Sequence, residues 1–98
     1  MFVGTLRIDL LLGDVRSLKQ KRSVIRPLVS ELKRRFEVGV SEVGHLDLHR
    51  RTEIGVVTTA VTLARCRDVL DNCERAVAAR PEIEVLSTRQ RLFNEEDV

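Results

Sequence analysis

The sequence predicts an α+β sandwich in which two helices cover one face of a four-stranded antiparallel sheet. Three observations indicate this fold class. The 98 residues are enough for one hydrophobic core and no second domain. Apolar residues alternate in some segments, as in strands, and recur with helical periodicity in others. These segments follow the order β-α-β-β-α-β, which is typical of the ferredoxin-like fold.

The first strand is predicted over residues 2–12, where apolar and polar side chains alternate early. Gly13 and Asp14 end it. Ser17 and Gln20 then form the Ser-x-x-Gln pattern of a capping box, which marks the start of a helix. A single apolar stripe follows, formed by Leu18, Ile25, Leu28, Val29, Leu32 and Phe36.

Pro27 lies inside this first helix and removes the backbone hydrogen bond to Ser23. The sequence therefore predicts either a kink at the proline or a regular helix that starts near Ser23. Lys21 would fall on the apolar side of a continuous helix, which favours the later start.

The rest of the chain completes the β-α-β-β-α-β order. A valine-rich segment bounded by glycine predicts a second strand over residues 37–44, and the most β-prone segment predicts a third over residues 52–59. Thr62 is a suitable N-cap for a second helix over residues 63–79, which ends before Arg80-Pro81. A fourth strand is predicted over residues 83–93, but its partial alternation leaves open which side chains face the core. Residues 1–93 thus form one ferredoxin-like domain, and acidic residues 94–98 form a solvated tail.

Positive charge is concentrated on the first helix, although the whole chain carries only +2. Eight basic residues and one acidic residue, Glu31, lie between residues 16 and 35. At helical spacing, five of the basic side chains share a sector turned away from the apolar stripe: Lys19, Arg22, Arg26, Lys33 and Arg34. This surface is either a solvated helix face or a site for nucleic acid or another polyanion.

The aromatic content restricts how such a site would bind RNA. The chain has no Trp and no Tyr, and its three Phe residues, Phe2, Phe36 and Phe93, lie at the ends of predicted elements. Sheets that bind single strands stack bases on exposed aromatic rings. We therefore expect recognition of backbone and shape by the first helix, and the favoured partner is a structured RNA or a ribosomal surface.

The predicted topology also leaves one face of the sheet uncovered. Such a face is either polar or pairs with another molecule. The alternative function is therefore a homodimeric or protein-interaction module that uses this face or an edge strand, with the basic helix simply solvated.

Other residue patterns favour structural roles over chemistry. Cys66 and Cys73 lie two helical turns apart, too far for a disulfide, and share a face with apolar residues, so we expect two buried thiols. His45, Asp47 and His49 are of zinc-binding type, but three ligands within five residues fit tetrahedral geometry poorly. Loop hydrogen bonding is the favoured interpretation, and no metal or cofactor is predicted.

An enzyme of the same architecture is the third hypothesis. Acylphosphatase shares the element order and binds phosphate with an arginine before the first helix, where this chain has Arg16. The asparagine that positions water in that family lies near the third strand, whereas Asn72 and Asn94 are the only asparagines here. No convincing nucleophile and base pair is present elsewhere, so we predict no catalytic residues and no enzyme activity.

No apolar segment is long enough to span a bilayer, and the start of the chain has no signal-peptide pattern. We therefore expect a cytoplasmic protein without a membrane partner.

Several segments resemble the YlxP-like family of small bacterial proteins of unknown function. They are Ser17 to Arg22, Lys33 to Phe36, Glu42-Val43, His45, Asp47-Leu48 and Glu53 to Val56. The resemblance implies a ferredoxin-like fold. It also implies a link to translation, because genes of this family often stand beside those of a translation initiation factor and a ribosome-binding factor. It supplies no catalytic residues.

Overall fold

A computed structural model describes residues 1–97 and confirms the predicted α+β fold class. Four strands and two helices follow one another in the predicted order: β1 (Phe2–Leu12), α1 (Leu18–Phe36), β2 (Gly39–Gly44), β3 (Arg51–Ala60), α2 (Leu63–Ala78) and β4 (Ile83–Asn94). The strands form one antiparallel sheet with the order β2-β3-β1-β4. β1 is therefore central, and β2 and β4 are the edge strands.

Both helices pack against the same face of the sheet and share one hydrophobic core. β1 buries Leu6, Ile8, Leu10 and Leu12 on that face, and the intervening side chains point to the uncovered face. α1 contributes mainly Ile25, Leu28 and Leu32, and α2 contributes Cys66, Val69, Leu70, Cys73 and Val77. The two cysteines are free and buried, as expected from their spacing. Burial raises the pKa of the Cys73 thiol to about 11.

Of the two alternatives that Pro27 left open, the structure excludes the favoured one, a regular helix that starts near Ser23. α1 begins at Leu18, with Ser17 as N-cap accepting a hydrogen bond from the Gln20 amide, and continues through Pro27. Lys21 is on the core side of this continuous helix and is only 3% exposed. This position is possible because the ammonium group of Lys21 contacts oxygen atoms of Glu42 and His45.

The start of β2 and the C-terminal segment also differ from prediction, each for a physical reason. The second strand begins at Gly39 and not at residue 37, because Glu37 adopts a left-handed conformation (φ 55°) and donates its backbone N–H to Lys33 as the C-cap of α1. At the end of the chain, β4 reaches Asn94, and Glu95–Asp97 form an exposed 3-10 helix whose first N–H donates to the carbonyl of Met1. Val98 of the predicted tail lies outside the described residues.

A β-bulge decides which side chains of β4 face the helices. Asp9 pairs with Ser87 and the next β1 residue, Leu10, pairs with Val85, so Leu86 is an extra residue in β4. Beyond the bulge, the alternation of β4 is shifted by one residue, and Arg89 lies opposite Arg7 on the uncovered face. No helix within residues 1–97 is long and apolar enough to cross a membrane.

Candidate polyanion-binding surface

The basic surface of α1, defined by Lys19, Arg22, Arg26, Lys33 and Arg34, is exposed as predicted from the helical spacing. The surface lies on the side of the helix away from the buried residues Ile25, Leu28 and Leu32. Because the helix rises about 1.5 Å per residue, Lys19 and Arg34 are separated by about 22 Å along its axis. The helix therefore presents a row of cations long enough to contact several phosphates.

None of these five side chains forms an ion pair within residues 1–97. The only carboxylate of α1, Glu31, pairs with two cations that do not belong to the basic surface. Arg35, one turn further along the helix, lies 3.4 Å from its Oε1, and the guanidinium of Arg80 donates to its Oε2. The hydrogen bond from Arg80 is the main reason why the pKa of Glu31 is lowered. The charge of the basic surface is thus left uncompensated by the helix itself.

Lys21 belongs to the same basic stretch of sequence but not to the surface. Its Nζ lies 2.7 Å from Oε2 of Glu42 in β2 and donates to the backbone carbonyl of His45 at 2.8 Å. The hydroxyl of Thr52 in β3 donates to the same Glu42 oxygen at 2.6 Å. Lys21 therefore connects α1 to the β2–β3 side of the sheet and is unavailable to an external ligand.

The loop after β2 does not bring its two histidines together around Asp47. His45 has a left-handed backbone (φ 56°), and its Nε2 is 3.8 Å from Oδ1 of Asp9 on β1. That same carboxylate accepts two hydrogen bonds from Arg51, at 2.9 and 2.7 Å. Asp47 and His49 are exposed. Residues 1–97 contain no group of three or more His, Cys, Asp or Glu side chains arranged to hold a metal ion.

Arg16 is exposed just before α1 and lies beside an acidic side chain. Its Nε lies 3.2 Å from Oδ1 of Asp14, and its backbone N–H donates to the side chain of Gln20 at 2.6 Å. Of the two asparagines, Asn72 is on α2 and Asn94 ends β4. The structure therefore does not bring either asparagine onto β3, the strand that would be required by analogy with acylphosphatase.

A second group of basic side chains lies on the uncovered face of the sheet, and the sequence alone did not predict that its members lie together. Arg7 on β1 and Arg89 on β4 are directly opposite each other, and Arg91 follows Arg89 on the same face. The bulge at Leu86 and the strand order bring these arginines together. The residue pattern of β1 or of β4 taken alone reveals neither the bulge nor the strand order.

The element order and the sheet topology define a small ferredoxin-like α+β protein, and its first helix carries the exposed basic surface. The sequence profile of the family described as "Protein of unknown function (DUF503)" matches residues 3–90, and the chain belongs to this family. The chain is 28% identical over 91 residues to the uncharacterized protein YlxP of Bacillus subtilis (strain 168), an alignment that covers 93% of this chain and 99% of that protein. The YlxP-like resemblance of the sequence is thereby confirmed.

The fold is shown by comparison with a solved structure. A de novo designed protein with a ferredoxin fold superposes with a TM-score of 0.57 at 9% identity, over 97% of this chain and 88% of the designed one. SnoaB, a cofactor-independent oxygenase from Streptomyces nogalater, gives a TM-score of 0.47 at 12% identity, over 95% and 91% of the two chains. At 9% identity the similarity to the designed protein concerns architecture alone.

Proposed function

We propose that this protein is a non-enzymatic module that binds a structured RNA or a ribosomal surface through the basic surface of α1. The observation that carries the proposal is the uncompensated row of Lys19, Arg22, Arg26, Lys33 and Arg34 on one exposed helix face. Lys and Arg in this arrangement neutralise phosphates and release the counterions that surround them.

The mode of binding follows from the side chains that surround this row. Phe36 is half-buried against the core, and the guanidinium of Arg35 lies 5.1 Å from its ring centre, so no free aromatic surface is offered on α1 for stacking bases. Phe2 and Phe93 are also half-buried. Contacts of α1 are therefore to phosphates and to the shape of a folded RNA, which give affinity and orientation with little sequence discrimination.

The test is binding of the purified protein to ribosomal subunits and to total RNA over a series of salt concentrations. The variant Lys19→Glu/Arg22→Glu/Arg26→Glu reverses three charges of the basic surface. A matched control, Arg65→Glu/Arg67→Glu/Arg75→Glu, reverses three exposed charges on α2, where acidic residues are interspersed. We expect wild type and control to bind with a steep salt dependence and the α1 variant to lose binding.

Three results would contradict the proposal. The first is retained binding by the α1 variant. The second is an equal loss of binding in the α2 control, which would show a response to total charge and not to the surface. A binding constant independent of salt in the wild type would also exclude a phosphate-dominated contact.

The second candidate is a homodimer formed through the uncovered face or an edge strand. The observation that favours it is the length of β4, an edge strand of 12 residues whose outer backbone groups have no strand partner within residues 1–97. Antiparallel pairing of two copies centred on Gln90 would place Arg89 of each copy opposite Arg91 of the other, and this like-charge contact opposes it. Sedimentation analysis over a range of protein concentrations distinguishes the two candidates, because dimer formation depends on concentration and requires no RNA.

A further inference from the structure

The uncovered face of the sheet contains a shallow trough of about 540 Å³, on the side of the molecule away from α1. One side of this open-face trough is formed by the arginines Arg7, Arg89 and Arg91, and the other by Val43 and Val57. Its volume is in the range of sites that bind small organic molecules. The two sides differ in chemistry, so the trough is suited to a ligand that is anionic at one end and apolar at the other.

The arginine side carries an electrostatic conflict. Arg7 and Arg89 are cross-strand partners, and like charges directly opposite each other in a sheet are destabilising. Glu53 compensates only Arg7, whose Nε lies 2.8 Å from its Oε1. Arg89 and Arg91 are exposed and have no ion-pair partner within residues 1–97. Two guanidinium groups on one strand face, with Cα atoms about 7 Å apart, are thus left for an external anion.

The apolar side is shaped by two glycines. Val57 lies over Gly39 and Val43 lies over Gly55, so closely that a Cβ on either glycine would come within 3 Å of a valine methyl group. Val43 and Val57 nevertheless remain 46% and 44% exposed. A flat organic ring packed against these two valines would cover apolar surface that the protein itself leaves in water.

The distance across the sheet allows one ligand to reach both sides of the trough. Gly55 on β3 and Arg89 on β4 are separated by one intervening strand, β1, which corresponds to about 10 Å. The hydroxyl groups of Thr5 and Ser41 also line the trough and are suited to hydrogen bonding with a sugar. Guanidinium groups bind phosphate oxygens in bidentate fashion.

From this arrangement we propose that the open-face trough binds a nucleotide, with the base against Val43 and Val57 and the phosphate held by Arg89 and Arg91. The bound phosphate relieves the opposition of Arg7 and Arg89. The same chemistry is offered by a free mononucleotide and by a nucleotide of a single-stranded RNA. This site is on the opposite face from the basic surface of α1 and does not depend on it.

The test is an NMR titration that follows the backbone amides of Gly39 and Gly55 in the trough and of Gly13 outside it. The probes are AMP, a short single-stranded RNA, adenosine and inorganic phosphate. The variant Arg89→Gln/Arg91→Gln changes exposed side chains, and Arg65→Gln/Arg67→Gln on α2 is its matched control. We expect saturable shifts of Gly39 and Gly55 alone, weakened about tenfold or more in the trough variant and unchanged in the control.

The arms of the titration separate the sources of the ligand. Saturation by AMP supports a free nucleotide, and saturation by the RNA alone supports a nucleotide within a strand. The proposal is overturned if neither probe shifts the two glycines, if inorganic phosphate binds as tightly as AMP, or if the α2 control loses binding equally. It is also overturned if the two amides shift with protein concentration in the absence of ligand, because the occupant is then a second copy of the chain.

The result for the trough is independent of the result for α1. The variant Lys19→Glu/Arg22→Glu/Arg26→Glu should bind AMP as the wild type does, since its substitutions lie on the opposite face. Failure of the trough proposal would therefore leave the proposed function in place, and the reverse also holds.

Discussion

The ammonium group of Lys21 lies 2.7 Å from Oε2 of Glu42, which joins the first helix to an edge strand through a pair that is almost fully buried on the lysine side. The hydroxyl of Thr52 donates to the same carboxylate oxygen, and the carbonyl of His45 accepts from the ammonium. The charge is therefore compensated and hydrogen-bonded, which is the condition under which an ionised lysine is tolerated beside a core.

Replacing only one member of this pair is expected to be strongly destabilising. Lys21→Met removes the ammonium and leaves the Glu42 carboxylate without its cation, and Glu42→Leu leaves the ammonium buried without its anion. Each single variant should lower the free energy of unfolding by about 3 kcal/mol, measured by urea denaturation. Lys21→Met/Glu42→Leu should recover most of that loss, because neither charge is then left unpaired. Additive losses in the double variant would contradict this account.

Glu37 is a position where substitution should stabilise the protein. Its left-handed conformation at the end of α1 is one that glycine adopts at no steric cost. Glu37→Gly should raise the free energy of unfolding by about 0.5–1 kcal/mol. Ala79, the C-cap of α2, has a right-handed conformation (φ −76°), so Ala79→Gly should not stabilise the protein. Equal effects of the two substitutions in thermal unfolding would exclude backbone conformation as the cause.

Glu31 should make stability depend on acid pH. Its pKa is lowered from an ordinary value of 4.5, chiefly by the hydrogen bond from Arg80. A carboxyl group with a lowered pKa in the folded state stabilises the protein above pH 4.5 and loses that contribution as pH falls through its folded-state pKa. Glu31→Gln should therefore cost about 0.5–1 kcal/mol at pH 7, and the difference from wild type should shrink below pH 4.5.

The control for this experiment is Glu84→Gln, because Glu84 is exposed and has no ion-pair partner within residues 1–97. The free energy of unfolding of this variant should follow that of the wild type between pH 7 and acid pH. A difference between Glu31→Gln and wild type that stays constant with pH would show that the ion pair with Arg80 is not the source of the effect.

Cys73 should be unreactive in the folded protein. Its thiol is completely buried, and burial raises its pKa to about 11, so thiolate is scarce and inaccessible at neutral pH. In a Cys66→Ala variant, which isolates Cys73, labelling by a disulfide reagent should require unfolding and should accelerate with denaturant. The same raised pKa means that stability is lost as pH rises above the unfolded value of about 9. Rapid labelling without denaturant would contradict the buried position.

Most of the fold could be predicted because its determinants are local. Alternation identified β1, the capping residues Ser17 and Thr62 marked the starts of both helices, and apolar periodicity gave their core faces. Pro27 and Lys21 wrongly favoured a start near Ser23 over the start marked by Ser17. The partners that accommodate Lys21, Glu42 and His45, lie more than twenty residues away in the sequence. Such a contact cannot be inferred from helical spacing.

The two basic surfaces differ in how far the sequence reveals them. The basic surface of α1 depends only on the angular positions of residues in one helix, so its exposure followed from the sequence. The open-face trough depends on the pairing of Arg7 with Arg89, which are 82 positions apart, and on a bulge that reverses the alternation of β4 at Leu86. A shift of one residue in that pairing would turn Arg89 towards the helices.

The central position of β1 has a consequence for how the chain folds as it is synthesised. β1 pairs on one side with residues 51–60 and on the other side with residues 83–94, so that Phe2 is opposite both Ala60 and Asn94. A nascent chain must therefore carry its most apolar strand unpaired until β3 emerges, and must leave one edge of that strand open until residues 83–94 have been added. Folding is consequently governed by loop closures of high contact order, and the half-made sheet is the species most exposed to aggregation.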